Sequence, residues 1–170
     1  MPKSTQKVEP ILPWSLHKTG GWRAQFERIE RWYGRIQEAR SPEDITDYLF
    51  SFFQNCFHLR EWLQSTTEIT KAELDTLFEK HVELGVCRDI CNVTKHFFLS
   101  QKPSQEFEVS FVKEYCPPNH PYFRDGWFGG DARLLVVSDE KNYDARELAH
   151  TCLTIWREFL TQRGFLENAF

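Results

Sequence analysis

Apolar residues recur at alternating steps of four and three along much of this 170-residue chain, and that spacing limits the possible folds more than any other feature. Trp22, Phe26, Ile29, Tyr33 and Ile36 keep the spacing, which predicts a helix from about Trp22 to Ala39 with one apolar seam. Ser41-Pro42-Glu43-Asp44 then reads as an N-cap, a proline at the first helical position and an acid at the third. It opens a long helix to about Gln64, with Ile45, Leu49, Phe52, Phe53, Cys56, Leu59 and Leu63 on one wide face. Thr70-Lys71-Ala72-Glu73 matches a capping box and predicts a shorter helix that carries Leu74, Leu77 and Phe78. Gly85 is its expected C-cap, and a further helix follows from about Val86 to Leu99.

The period then changes. Phe107, Val109 and Phe111 alternate with Glu106, Glu108 and Ser110, the pattern of a half-buried strand, and Ala132–Val137 reads as a second strand. Between them lies a long stretch rich in Pro, Gly and aromatics, with Trp127, Phe128, Gly129 and Gly130 near its end. A last helix is expected from about Tyr143 to Arg163, stopping at Gly164. The expected fold is mainly α: an antiparallel bundle of about four main helices plus one short helix, with a two-stranded β-ribbon inserted before the last helix. Residues 1–20, with three prolines and a glycine pair at 20–21, read as an extended N-terminal arm, and residues 21–170 as a single helical-bundle domain.

Aromatics make up 15% of the chain, ample material for a core in one domain of this length. The formal net charge of −4 argues against a generic nucleic-acid coat and leaves room for a local basic site. Five cysteines, an odd number and mostly inside predicted helices and strands, fit free thiols in a reducing, cytoplasmic setting. No apolar run approaches the length of a membrane span, so no membrane association is expected.

The chemistry-bearing stretch is Arg88-Asp89-Ile90-Cys91-Asn92-Val93-Thr94-Lys95-His96. On a helix, Arg88, Asn92 and His96 stand at i, i+4 and i+8 with Lys95 beside them, while Val86, Ile90, Val93 and Phe97 fall opposite. Histidine titrates near neutrality and can move a proton; a guanidinium or ammonium can neutralise charge on a phosphoryl oxygen. In the preceding long helix, Ser51, Asn55, His58 and Trp62 share a stripe at the edge of the apolar face, with His58 and Trp62 expected to meet Asn92 and His96 across the bundle. Arg28, Arg31 and Arg35 are interleaved with Glu27, Glu30 and Glu38, mostly a salt-laced outer face. No Cys-x-x-Cys pair occurs, and Cys87 and Cys91 lie on the apolar side away from His96, so neither a metal nor another cofactor is expected.

The Arg88-Asp89 pair followed on the same helix by His96, late in a run of helices over roughly residues 22–165, resembles the HEPN superfamily of helical bundles. Seven residues separate Arg88 from His96, one more than that family's pattern allows. The resemblance implies an RNA-directed protein and metal-independent ribonuclease activity of a defence or toxin–antitoxin type. In that reading His96 handles the proton, Arg88 stabilises the phosphorane-like state and Asn92 orients, with Lys95, His58 and Trp62 binding substrate. It also implies a homodimer that pairs two copies of the motif. The alternative is a non-enzymatic helical protein that binds a partner protein through the aromatic loop 117–131.

Overall fold

The computed structural model describes residues 20–39, 41–95, 111–115, 132–138 and 141–167; at 42, 93–95, 111–115, 132–135 and 137–138 it describes the backbone alone. The chain is mainly helical, as its periodicity predicts. Five helices are described: α1 (Gly21–Glu38), α2 (Pro42–Thr66), α3 (Lys71–Lys80), α4 (Val82–Lys95) and α5 (Ala145–Gln162). Three strands stand between the last two: β1 (Phe111–Tyr115), β2 (Ala132–Ser138) and β3 (Lys141–Asp144).

Local chemistry sets the helix ends. Before α1, Gly20 has φ 96°, and a side chain there would lie 2.7 Å from the Ala24 Cβ, so glycine is required twice over. The Ser41 hydroxyl accepts from the Asp44 amide at the start of α2. Thr70 and Glu73 form the reciprocal capping box of α3, with amide-to-side-chain distances of 3.3 and 2.7 Å. At the end of α5, Phe165 N–H donates to the Leu160 carbonyl and Gly164 N–H to Thr161, with Gly164 at φ 72°: a Schellman ending.

Two expected boundaries are corrected. The third helix stops at Lys80, with the break at His81, and Gly85 lies inside α4 and caps nothing. The last helix begins at Ala145 because Asp144 accepts from the Arg146 and Glu147 amides as its N-cap. The residues before that cap extend into β3.

The strands form one antiparallel sheet in the order β1-β2-β3, with Lys113 opposite Leu134 and Val136 opposite Tyr143. The described sheet therefore has three strands, where the sequence predicts a two-stranded ribbon. The first strand runs over Phe111–Tyr115, and the alternation at Phe107 and Val109 lies outside the described residues. α5 packs against β2 and β3, and the Val136 side chain enters the core.

Contacts between the helices fix their directions. α1 and α2 run oppositely, since Trp22 N–H donates to Thr66 Oγ1 (3.2 Å) and Trp32 meets Tyr48. α3 runs back along α2, pairing Arg60 with Asp75 and Phe57 with Phe78. α4 runs with α2: Cys87 Sγ–H donates to the Phe53 carbonyl (3.4 Å), and Cys91 Sγ lies 3.9 Å from His58 Nε2. α5 opposes α1, joining Tyr33 to His150 and Trp22 to Phe165. Direction thus alternates from α1 to α4, whereas α5 runs the same way as α4, against the expectation of antiparallel neighbours throughout. Residues 96–144 must return the length of α4, about 21 Å at the standard helical rise, and they include the sheet.

α2 is the central element, packed on α1, α4 and α5. Its Leu49, Phe52, Phe53, Cys56, Leu59 and Leu63 are all fully buried. Trp156 of α5, also fully buried, packs edge-on against Phe78 and Phe159.

Candidate functional site

The polar ridge of α4 begins with an internal pair. Arg88 Nε donates to Asp89 Oδ1 at 3.0 Å. Asp89 is 4% exposed, and its second oxygen has no hydrogen-bond partner. Burial raises its carboxyl above the usual carboxylate range, and the Arg88 guanidinium opposes that rise without cancelling it. Asn92 is half-buried one turn on. Lys95 is the last residue of α4, but its side chain lies outside the described residues, as does all of His96. The aromatic stretch 117–131 lies outside them too.

The α2 stripe is real but divided between two neighbours. Ser51, Asn55, His58 and Trp62 are all half-buried. His58 turns to α4, where it meets the thiol of Cys91 next to Asn92. Trp62 turns to α1, with the Arg28 guanidinium 6.0 Å from its ring centroid, while its expected meeting with His96 lies outside the described residues. A network missed in the sequence fixes that side. Gln25, 1% exposed, donates to the Asn55 carbonyl (2.9 Å) and side-chain oxygen (3.1 Å) and accepts from Arg28 (2.8 Å). Asn55 in turn donates to the Ser51 carbonyl at 2.7 Å. The sequence offered one signal, a polar residue at position 25 beside the apolar seam.

Asn55 and Trp62 thus reach α1, and His58 reaches α4. On α4, Val86 and Ile90 are buried, while Arg88 and Asn92 are half-buried. Arg31 and Arg35 of α1 are engaged elsewhere. Arg31 pairs with Glu27 on an exposed face, and Arg35 lies over Trp32.

A second cluster sits inside the protein. Cys56 of α2, Cys87 of α4 and Cys152 of α5 are fully buried, with their sulfurs within 4.8 Å of one another. Cys152 Sγ–H also reaches the Glu83 carbonyl at 3.5 Å. Burial pushes the Cys87 and Cys152 thiols well above their usual value. Burial opposes ionisation of Cys56 as well, but the neighbouring Cys152 and Cys87 thiols and the Trp156 indole favour its thiolate and bring it down to about 5. Cys56 is therefore the thiol of the three that ionises first. The sequence placed each cysteine on an apolar helix face and gave no sign that the three faces meet at one point. The chain matches no family model, no curated protein and no solved structure.

Proposed function

We propose that this chain is an RNA-directed helical protein, a HEPN-like bundle acting as a metal-independent ribonuclease, with the half-buried stripe of α2 and the polar ridge of α4 receiving the strand. One observation carries the reading: on one half-buried stripe of α2, Trp62 has the Arg28 guanidinium of α1 at 6.0 Å and His58 meets Cys91 of α4, the residue beside Asn92 on the helix that carries Arg88. A cation beside an aromatic ring suits single-stranded nucleic acid, because cations track the phosphates and an aromatic face stacks a base whatever its identity. A net charge of −4 does not oppose this, since affinity depends on the local phosphate contacts. In this reading Arg88 and Asn92 hold the scissile phosphate, Lys95 and His58 bind beside it, and His96 moves the proton of the 2′-hydroxyl or of the leaving oxygen. A homodimer would bring a second ridge alongside.

The test is fluorescence anisotropy with a labelled single-stranded RNA over a salt series, together with cleavage of the same RNA in chelator. Arg28→Ala should weaken binding several-fold and flatten the log–log salt slope by roughly one phosphate contact. His96→Ala should abolish chelator-resistant cleavage while binding persists. Absence of RNA binding by the unaltered protein at low salt would refute the reading. Cleavage that is undiminished in His96→Ala would refute its mechanism.

A further inference from the structure

Three thiols from three helices meet at one point in the core, and the RNA reading uses none of them. Buried free cysteines ordinarily behave as small apolar side chains and need not gather. Here the sulfurs of Cys56, Cys87 and Cys152 form a triangle with no side longer than 4.8 Å. Some point in it lies within about 2.8 Å of all three, and a metal–thiolate bond is about 2.3 Å long, so sub-ångström movements of the three side chains would close the shell. The Trp156 indole N–H is buried near the Cys56 sulfur and has no hydrogen-bond partner. An orphaned donor of this kind is satisfied when a sulfur beside it carries full thiolate charge.

We propose that Cys56, Cys87 and Cys152 form a three-coordinate thiolate site for a soft, thiophilic ion. The donor set decides the class. Zinc in structural sites takes four ligands, and among the described residues only these three gather closely enough to share an ion. The nearest histidine on the same stretch of α2, His58, faces Cys91 instead. Soft monovalent copper and trivalent arsenic both accept sulfur as their preferred donor and do not require a fourth ligand. Charge favours the trivalent ion of the two, since copper(I) on three thiolates would leave net negative charge in the core. A trivalent centre on three thiolates is neutral, and a neutral centre is the cheapest to keep in an apolar core, where an unbalanced charge is costly.

Loading forms three ion–sulfur bonds and transfers no electrons. Protons still on the sulfurs leave to solvent; with arsenite, As(OH)₃, they depart with its hydroxide groups as water. Because the sulfurs are fully buried, the ion enters as the chain folds or during an opening of α2, α4 and α5. Exchange should therefore be slow, and loading should clip those helices together.

The experiment uses the full chain, reduced and anaerobic, with copper(I), arsenite and zinc(II) in separate arms. Elemental analysis after desalting gives stoichiometry, and a thermal melt reports the fold. One equivalent of copper(I) or arsenite should be retained, with a raised melting temperature. Retention should be lost in both Cys56→Ser and Cys152→Ala, two variants so that one folding failure does not decide the matter, and kept in Cys91→Ser. Trp156→Phe, which keeps the ring and removes the N–H, should weaken retention several-fold. No retention of either soft ion, or retention unchanged in a folded Cys56→Ser or Cys152→Ala protein, would overturn the site. Zinc held more tightly than both soft ions would overturn its three-coordinate character.

Discussion

Asp89 is a carboxyl almost wholly removed from water, with one oxygen on Arg88 and the other without a partner. Its folded pKa is raised, so the folded chain holds this proton more tightly than the unfolded chain does. The stability that gives is fully present below the ordinary carboxylate pKa and is lost as pH rises through the folded value. At neutral pH the ionised group is therefore a cost. Asp89→Asn keeps an oxygen for Arg88 and removes the buried charge, so it should melt at or above the unaltered protein near neutrality. The difference should shrink toward acid in melts taken from about pH 8 to about pH 4, across the range in which a raised carboxyl titrates. A lower melting temperature for Asp89→Asn at neutral pH would show that the charge itself is required. The Arg88 ridge is legible in the sequence because i, i+4 spacing is a property of the helix alone. Its lock onto the residue next in sequence is not, since that depends on which surroundings exclude water from Asp89.

Among the elements, α3 owes most to its ends. It has only ten residues, too few for intrinsic helicity to hold it, and its termini carry the fastenings. Thr70 and Glu73 satisfy each other at its start, and Glu73 also pairs with Arg163 beyond α5. Asp75 bonds Lys71 at 2.8 Å within the helix and Arg60 on α2. Thr70→Ala should cost about 1 kcal/mol by the usual worth of an N-cap, read by chemical denaturation. Both carboxyls titrate below their usual range, Glu73 chiefly through the Thr70 amide and Asp75 chiefly through Lys71. The sign is opposite to that of Asp89: their contribution is present above the ordinary carboxylate pKa and fades as pH falls through the lowered values. Amide protection in α3, taken relative to the intrinsic exchange rate at each pH, should accordingly fall in acid before that of α2. Equal protection in the two helices down the pH series would refute this. Capping boxes are read from four consecutive residues, so this start was visible in the sequence; the stop at Lys80 was not, because Gly85 offered a competing signal that the continuing α4 overrides.

For the whole molecule, the decisive arrangement is the shared direction of α4 and α5. It requires the chain to return across residues 96–144, and it brings the end of α5 back to the start of α1. Phe165, held by the Schellman ending, closes that junction by packing edge-on against Trp22 at 5.3 Å. Arg23 reinforces it by donating to the Phe165 carbonyl at 3.2 Å. Phe165→Ala should cost about 1 kcal/mol for the aromatic pair, beyond the loss of buried area. It should also open the start of α1 to limited proteolysis ahead of α2; unchanged cleavage would show that the junction is not a fastening. Among the described residues no helix is long and apolar enough to cross a membrane.

Periodicity, caps and glycines are short-range properties, governed by backbone geometry within a few residues. They are why the sequence by itself determined the mainly helical character, the start of α2 at Ser41, the capping box of α3 and the end of α5 at Gly164. Helix direction, the split of the α2 stripe between α1 and α4, and the meeting of Cys56, Cys87 and Cys152 were decided only by the tertiary structure. Each depends on which apolar faces pack together across long separations, and a seam of Leu, Ile and Phe states that it will be buried without stating against what.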